Sequence, residues 1–199
     1  MKRFFLAALV AAAPLVLCQA EDAGPKKTET APAKETKNVE IGKQAPAFKI
    51  KDAAGKEIDL AQLTAKGPVL VRLTCGCSGC DKELAYFQEI NAAYKSHGLT
   101  SLLVFREPDE KVARYAADKK LDMLYAVDPK GEAWKVFETK SMPVNFLIEK
   151  GGKIISIAQG CEPSGLVANI VSEKAAKVVG VAAVDVQVKA DAKKPAEKK

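Results

Sequence analysis

The chain has 199 residues, 48% hydrophobic and 28% charged, with a formal charge of +6 at pH 7. That length and apolar share leave room for one ordinary domain between two polar ends. The basic excess lies largely in those ends without interleaved aromatic residues, which argues against a nucleic-acid surface, so no nucleic-acid partner is expected.

The N-terminus reads Met1-Lys2-Arg3, an apolar run from Phe4 to Leu17, then Cys18-Gln19-Ala20 before Glu21. Two positive charges, a short apolar core and a small-x-small ending are the pattern of a secretory signal peptide over residues 1–20, with cleavage expected after Ala20. The run is short for a transmembrane span. A second reading makes Cys18 a lipidated cysteine, although Leu17 stands where Gly, Ala or Ser is usual. The expected location is extracytoplasmic, with membrane contact only if Cys18 is lipidated or the signal stays attached. Losing Lys2 and Arg3 lowers the formal charge from +6 to +4 and leaves four cysteines, Cys75, Cys77, Cys80 and Cys161. An oxidising compartment permits such an even set to pair.

Residues 21–40 are rich in Lys, Thr, Ala, Pro and Glu and read as a disordered linker. A domain is expected over residues 41–180. Phe48 and Ile50, a turn at Asp52–Lys56, then Ile58 and Leu60 predict a β-hairpin, followed by a short turn through Ala61 to Leu63. Val69–Thr74 reads as a buried central strand. A helix runs from Cys77 to about Ser96, with Leu84, Phe87, Ile90 or Asn91 and Tyr94 on one face. Ser101–Phe105 is a second strand, and Pro108-Asp109-Glu110 opens a helix with Val112, Tyr115 and Ala116 inward. Leu124–Val127 is a third strand, and Trp134 and Phe137 belong to a short helix. Alternating strands and helices imply a parallel βαβ core with layers on both faces.

A proline-led strand, Pro143–Ile148, then turns at Lys150-Gly151-Gly152 into a hairpin partner over Lys153–Gln159. Ser164 is the expected N-cap of a final helix whose inner face is Leu166, Ile170 and Val171. Residues 181–199 hold either an edge strand, since Val184, Val186 and Val188 alternate with polar residues, or a frayed Lys-rich tail. Both readings stay open.

The chemistry concentrates where the central strand ends in Cys75-Gly76-Cys77-Ser78-Gly79-Cys80. A C-x-x-C at a helix N-terminus gains from unpaired N–H groups and partial positive charge that favour a thiolate. Two thiols one turn apart also close a disulfide with little chain movement. Cys77 is expected as the exposed nucleophile and Cys80 as the inner partner. The same spacing is half of a zinc site, which would need further ligands from Cys75, His97 or Cys161.

The order G-x-x-A-P-x-F, apolar strand, C-x-x-C-x-x-E, D-P-x-G and M-P-x-x-F-L-I-E-x-x-G-K-I resembles the extracytoplasmic thioredoxin-like TlpA/ResA group of the redoxin (AhpC/TSA) superfamily, from about Ile41 to Ala175. The resemblance implies an α/β, thioredoxin-like fold: a central mixed β-sheet flanked by helices, with an added N-terminal β-hairpin. It makes Cys77 the nucleophile, Cys80 the resolving thiol and Glu83 the acid just inside the helix. Pro143 becomes a cis-proline beside the disulfide that, with Met142, helps bind substrate. Three positions depart from the family. Gly76 replaces a usual Trp, Cys75 a frequent Thr, and Arg72 a common aromatic. Arg72 is expected either to point toward the thiols and favour a thiolate, or to snorkel to the sheet edge.

The function expected is thiol–disulfide exchange on protein thiols or disulfides, more often reduction, together with an upstream redox partner and no cofactor. One alternative is a peroxiredoxin-like peroxidase using Cys77, since Thr74-Cys75-Gly76-Cys77 matches T-x-x-C. Leu70 stands where a proline is usual, however, and no arginine lies near residue 150. The other alternative is a non-enzymatic metal carrier built on Cys75, Cys77 and Cys80. Cys75 and Cys161 are further expected to lie near the site as auxiliary thiols.

Overall fold

The structure, a computed structural model, describes residues 38–193. The signal peptide, Cys18, residues 21–37 of the linker and residues 194–199 fall outside the described residues. Strands β1 (Lys49–Lys51) and β2 (Glu57–Asp59) form an antiparallel hairpin, and helix α1 (Leu60–Lys66) follows at once. The main sheet uses β3 (Val69–Thr74), β4 (Thr100–Phe105), β5 (Leu124–Val127), β6 (Val144–Ile148) and β7 (Ile154–Gln159). Its order is β5-β4-β3-β6-β7, with β3, β4 and β5 parallel and β6 and β7 antiparallel. Helices α2 (Ser78–Tyr94), α3 (Asp109–Asp118), α4 (Glu132–Val136), α5 (Leu166–Val179) and α6 (Val186–Lys193) complete the element order.

Strand β3 is buried along its whole length, because both faces of the sheet are covered. Its period of two sends Val69, Val71 and Leu73 into a core with the hairpin and α4, through Phe48, Ile58, Trp134 and Phe137. Leu70 faces the other way, onto Phe87, Ile90 and Tyr94 of α2 and Val171 of α5. Leu103 and Phe105 of β4 meet Leu84 of α2 and Val112 of α3. The entry to β3 needs Gly67, since a Cβ there would stand 2.5 Å from the Gly98 carbonyl oxygen.

Register brings the sheet's chemistry to one edge. Leu73 of β3 faces Val144 of β6, so the register brings Pro143 level with Thr74, the last residue of β3, and the Met142–Pro143 peptide is cis. Val144 in turn faces Gln159, so Gly160 and Cys161 leave β7 at the same edge. The Gly160 N–H donates to the Pro143 carbonyl at 2.9 Å.

Several sequence expectations need correction. The linker ends before residue 40: Val39 is buried in the hairpin-side core, and Asn38 donates its N–H to Glu138 at 2.8 Å. One valine among polar residues carries no periodic signal. The short turn at 61–63 is the first part of α1, capped by the Asp59 carboxylate at the Ala61 N–H. Gly165, not Ser164, is the N-cap of α5, and the Glu162 carboxylate accepts from the Ser164 and Leu166 N–H groups at 3.3 and 3.0 Å. The inner face of α5 is Ala168, Val171, Ser172, Ala175 and Ala176, small residues that allow close packing, while Leu166 and Ile170 are exposed.

Residues 184–188 form neither an edge strand nor a tail. Asp185 accepts from the N–H groups of Gln187 and Val188 at 3.0 and 3.1 Å, which starts α6, and the helix extends into the part of the tail read as solvated. Val186 and Ala190, four apart, are then buried with α2 and α5, and Val188 points outward. Truncating Val186 to Ala removes buried methyl groups and is expected to lower stability by about 2 kcal/mol. The midpoint of urea unfolding measures it, and a frayed tail would show no change.

Candidate active site

The N-terminus of α2 holds Cys77 and Cys80. Cys77 is the residue before the first helical turn, in extended conformation, and its carbonyl accepts from the Asp81 N–H at 2.9 Å. It is exposed, whereas Cys80, one turn on, is buried. Cys75, half-buried, follows directly on β3 and leans across the turn. Its Sγ donates to the Cys77 Sγ at 2.8 Å and lies 3.3 Å from the Cys80 Sγ. All four cysteines of the described residues are unbridged thiols.

These contacts separate the thiols chemically. The Cys77 pKa is lowered, first by the hydrogen bond from Cys75 and then by the N–H of Cys80, with the Gly79 N–H adding to them. Cys75 is pushed up to about 12, chiefly by burial and then by its bond to Cys77. Cys161 is also raised, by burial and by the nearby Glu83 carboxylate. The exposed Cys77 is thus the thiol whose ionisation these contacts favour, and the thiolate is the nucleophilic form of a cysteine.

Cys161 reaches the same place from the far side of the sheet. A Cβ added to Gly79, between Cys77 and Cys80, would stand 3.2 Å from the Cys161 Sγ. Glycine at this position leaves space for the second loop to close on the turn. Met142 is half-exposed beside the cis Pro143.

Beneath the thiols lies a buried ion pair. Arg72 of β3 and Glu83 of α2 meet at 2.7 Å, with side chains 2% and 0% exposed. Arg72 also donates to Asn145 of β6 at 2.9 Å and stacks over the Phe87 ring at 4.0 Å. The other Glu83 oxygen accepts from the Glu162 N–H at 2.8 Å, which fixes the residue next to Cys161. The snorkelling expectation for Arg72 is therefore corrected: it stays inside the fold, because Glu83 and Asn145 offer its outer nitrogens buried partners. The other expectation holds in part, since the Arg72 charge acts to lower the Cys161 pKa, against the larger raising effects of burial and Glu83.

Sequence reasoning missed Glu107. Its carboxylate accepts from the Gly76 N–H at 2.6 Å and so fixes the backbone between Cys75 and Cys77. The signal was in the strand register: Thr74 pairs with Phe105, so the residues two positions beyond each lie side by side. Beside Gly76 opens a hollow of about 250 Å³, floored by Phe105, Val112 and Tyr115 and rimmed by Lys111 and Arg114. Gly76, between Cys75 and Cys77 in the chain, forms part of its wall.

The three sulfurs of Cys75, Cys77 and Cys80 all lie within 4.8 Å of one another, the donor set of a soft metal ion. Zinc bonds of about 2.3 Å at tetrahedral angles hold sulfurs about 3.8 Å apart. The observed 2.8 and 3.3 Å contacts are tighter, so the cluster would have to open to admit an ion.

Comparison with known proteins points in one direction. The model described as the AhpC/TSA family matches residues 41–157. The chain is 36% identical over 123 residues to thiol-disulfide oxidoreductase ResA of Bacillus thuringiensis subsp. konkukian, covering 61% of this chain and 71% of the relative. A structure described as a thiol:disulfide interchange protein DsbE from Chlorobium tepidum aligns with TM-score 0.65 at 22% identity, over 71% of this chain and 99% of that one. Peroxidoxin BcpB from Mycobacterium tuberculosis aligns with TM-score 0.58 at 20% identity, over 70% and 96%. The fold alone therefore does not choose between disulfide and peroxide chemistry.

Two outcomes test this geometry. Glu83→Ala leaves Arg72 buried without its counter-charge and is expected to cost about 3–5 kcal/mol in chemical denaturation, whereas a loss under 1 kcal/mol would mean the pair is peripheral. Cys77 is expected to react with iodoacetamide at lower pH than an ordinary thiol. With its pKa lowered, the thiolate persists as pH falls, and the rate drops only below the usual thiol range of about 8.5. A rate profile centred at or above that range would contradict the hydrogen-bonded thiolate.

Proposed function

Because the chain belongs to the AhpC/TSA family, as a thiol–disulfide oxidoreductase of the ResA type, we propose that it reduces protein disulfides through Cys77 and Cys80. One observation carries this reading: an exposed thiol of lowered pKa at the start of α2, with a buried thiol one turn behind it. The Cys77 thiolate attacks a substrate disulfide and forms a mixed disulfide, releasing the first substrate thiolate. A second thiol, Cys80, then attacks Cys77 and releases the other. Two electrons pass to the substrate, and the protein is left with a disulfide that an upstream thiol partner must reduce.

Glu83 acts as a positioning residue in this scheme, since both its oxygens are occupied and it is fully buried. Pro143 and Met142 are assigned to the substrate backbone on the family resemblance, supported by their place at the end of β3. The hollow beside Gly76 suits a side chain of the substrate near its disulfide. We place the reaction outside the cytoplasm, on the strength of the Met1–Ala20 pattern.

The test is turnover of a disulfide-bonded protein such as insulin in the presence of a small dithiol. Cys77→Ser is expected to fall to the uncatalysed rate. Undiminished activity in that variant would remove the assignment. Rapid hydrogen peroxide consumption by the wild-type protein, with no preference for a protein disulfide, would favour the peroxidase instead.

A further inference from the structure

We propose that Cys75 is a second resolving thiol, able to release substrate from Cys77 independently of Cys80. The inference rests on the reading of Cys77 as the nucleophile and concerns what happens after it has reacted. Of the thiols around Cys77, Cys75 is in direct sulfur contact with it, at 2.8 Å. The Cys75 sulfur also sits 3.3 Å from Cys80, so the three form one exchange-competent cluster and not a pair with a bystander. Position supports this: Cys75 follows directly on β3, Gly76 turns the chain, and Glu107 holds that turn through the Gly76 N–H. Two residues of chain span at most about 7 Å, which keeps the Cα atoms near the range a disulfide can bridge.

The step balances. In the mixed disulfide, the Cys75 sulfur attacks the Cys77 Sγ. A Cys75–Cys77 bond forms, the bond from Cys77 to the substrate sulfur breaks, and the Cys75 proton passes to the departing substrate thiolate. The substrate has then gained two electrons, and the protein has lost two. Timing follows from the same hydrogen bond. While Cys77 is a thiolate it holds the Cys75 proton; once Cys77 is tied in a mixed disulfide that hold is gone, while burial, the larger cause of the raised Cys75 pKa, still disfavours its ionisation. Cys80 can afterwards attack the Cys75–Cys77 bond without net redox change. The oxidised protein therefore still carries a thiol in contact with its own disulfide.

The probe is 5,5′-dithiobis(2-nitrobenzoate), whose coloured thiolate is released once on attack by Cys77 and once on resolution. All variants carry Cys161→Ser, so that the exposed Cys161 does not consume reagent, and circular dichroism checks that each is folded. Cys80→Ser is expected to release the second equivalent at least about 100-fold faster than Cys75→Ser/Cys80→Ser, reflecting a neighbouring thiol against none. Digestion and mass mapping of the product should find Cys75 joined to Cys77. If Cys80→Ser stops after one equivalent, with the reagent still attached to Cys77, Cys75 does not resolve and the Cys77–Cys80 mechanism stands alone. If Cys77→Ser in the same background gives the wild-type double release, the nucleophile assignment itself fails, and this inference with it.

Discussion

The Arg72–Glu83 pair is the constraint on which the site depends. An arginine placed in the central strand of a sheet covered on both faces has no water to solvate it. A lone buried charge is strongly destabilising, so its partners must be supplied by whatever packs against the strand. Glu83 comes from α2, Asn145 from β6 and the ring of Phe87 from α2 again. Asn145 passes the chain on to the Ala158 carbonyl of β7 at 3.2 Å, and Glu83 passes it to the Glu162 N–H. One polar network thus links four elements, and each carries or adjoins a thiol or the cis Pro143.

That network sets the distances above it. Cys77 and Cys80 move with α2, Cys75 with β3, and Cys161 with the residue whose N–H Glu83 holds. Glu107 adds a tie from the end of β4 to the backbone between Cys75 and Cys77. Sulfur contacts of 2.8 and 3.3 Å result from this alignment of a strand end with a helix start.

The site is also asymmetric in charge. Cys77 at the helix start collects hydrogen bonds from Cys75 and backbone N–H groups, while Cys75 is half-buried and Cys80 buried. Exposure and stabilisation of the charged form coincide on a single sulfur.

The sequence by itself determined the order of the seven strands along the chain, the position of C-x-x-C at a strand-to-helix junction, and the inner face of α2. These follow from periods of 3.6 and 2 and from spacing along a few residues, which are local properties. It also supplied the proline-led hairpin and, through resemblance, the mixed sheet. Only the tertiary structure decided where Arg72 points, since its partners lie 11 and 73 residues away. The same holds for Glu162, which meets Glu83 across 79 residues, and for Glu107, which meets Gly76 across 31. The C-terminal helix was hidden because three alternating valines suit a strand as well as a helix until α2 and α5 offer Val186 and Ala190 a surface. Cys75 shows the division most clearly. Its spacing to Cys77 is plain in the sequence, but its contact with both other thiols depends on how the end of β3 is set against the first turn of α2. That placement is a product of long-range packing, to which local periodicity is blind.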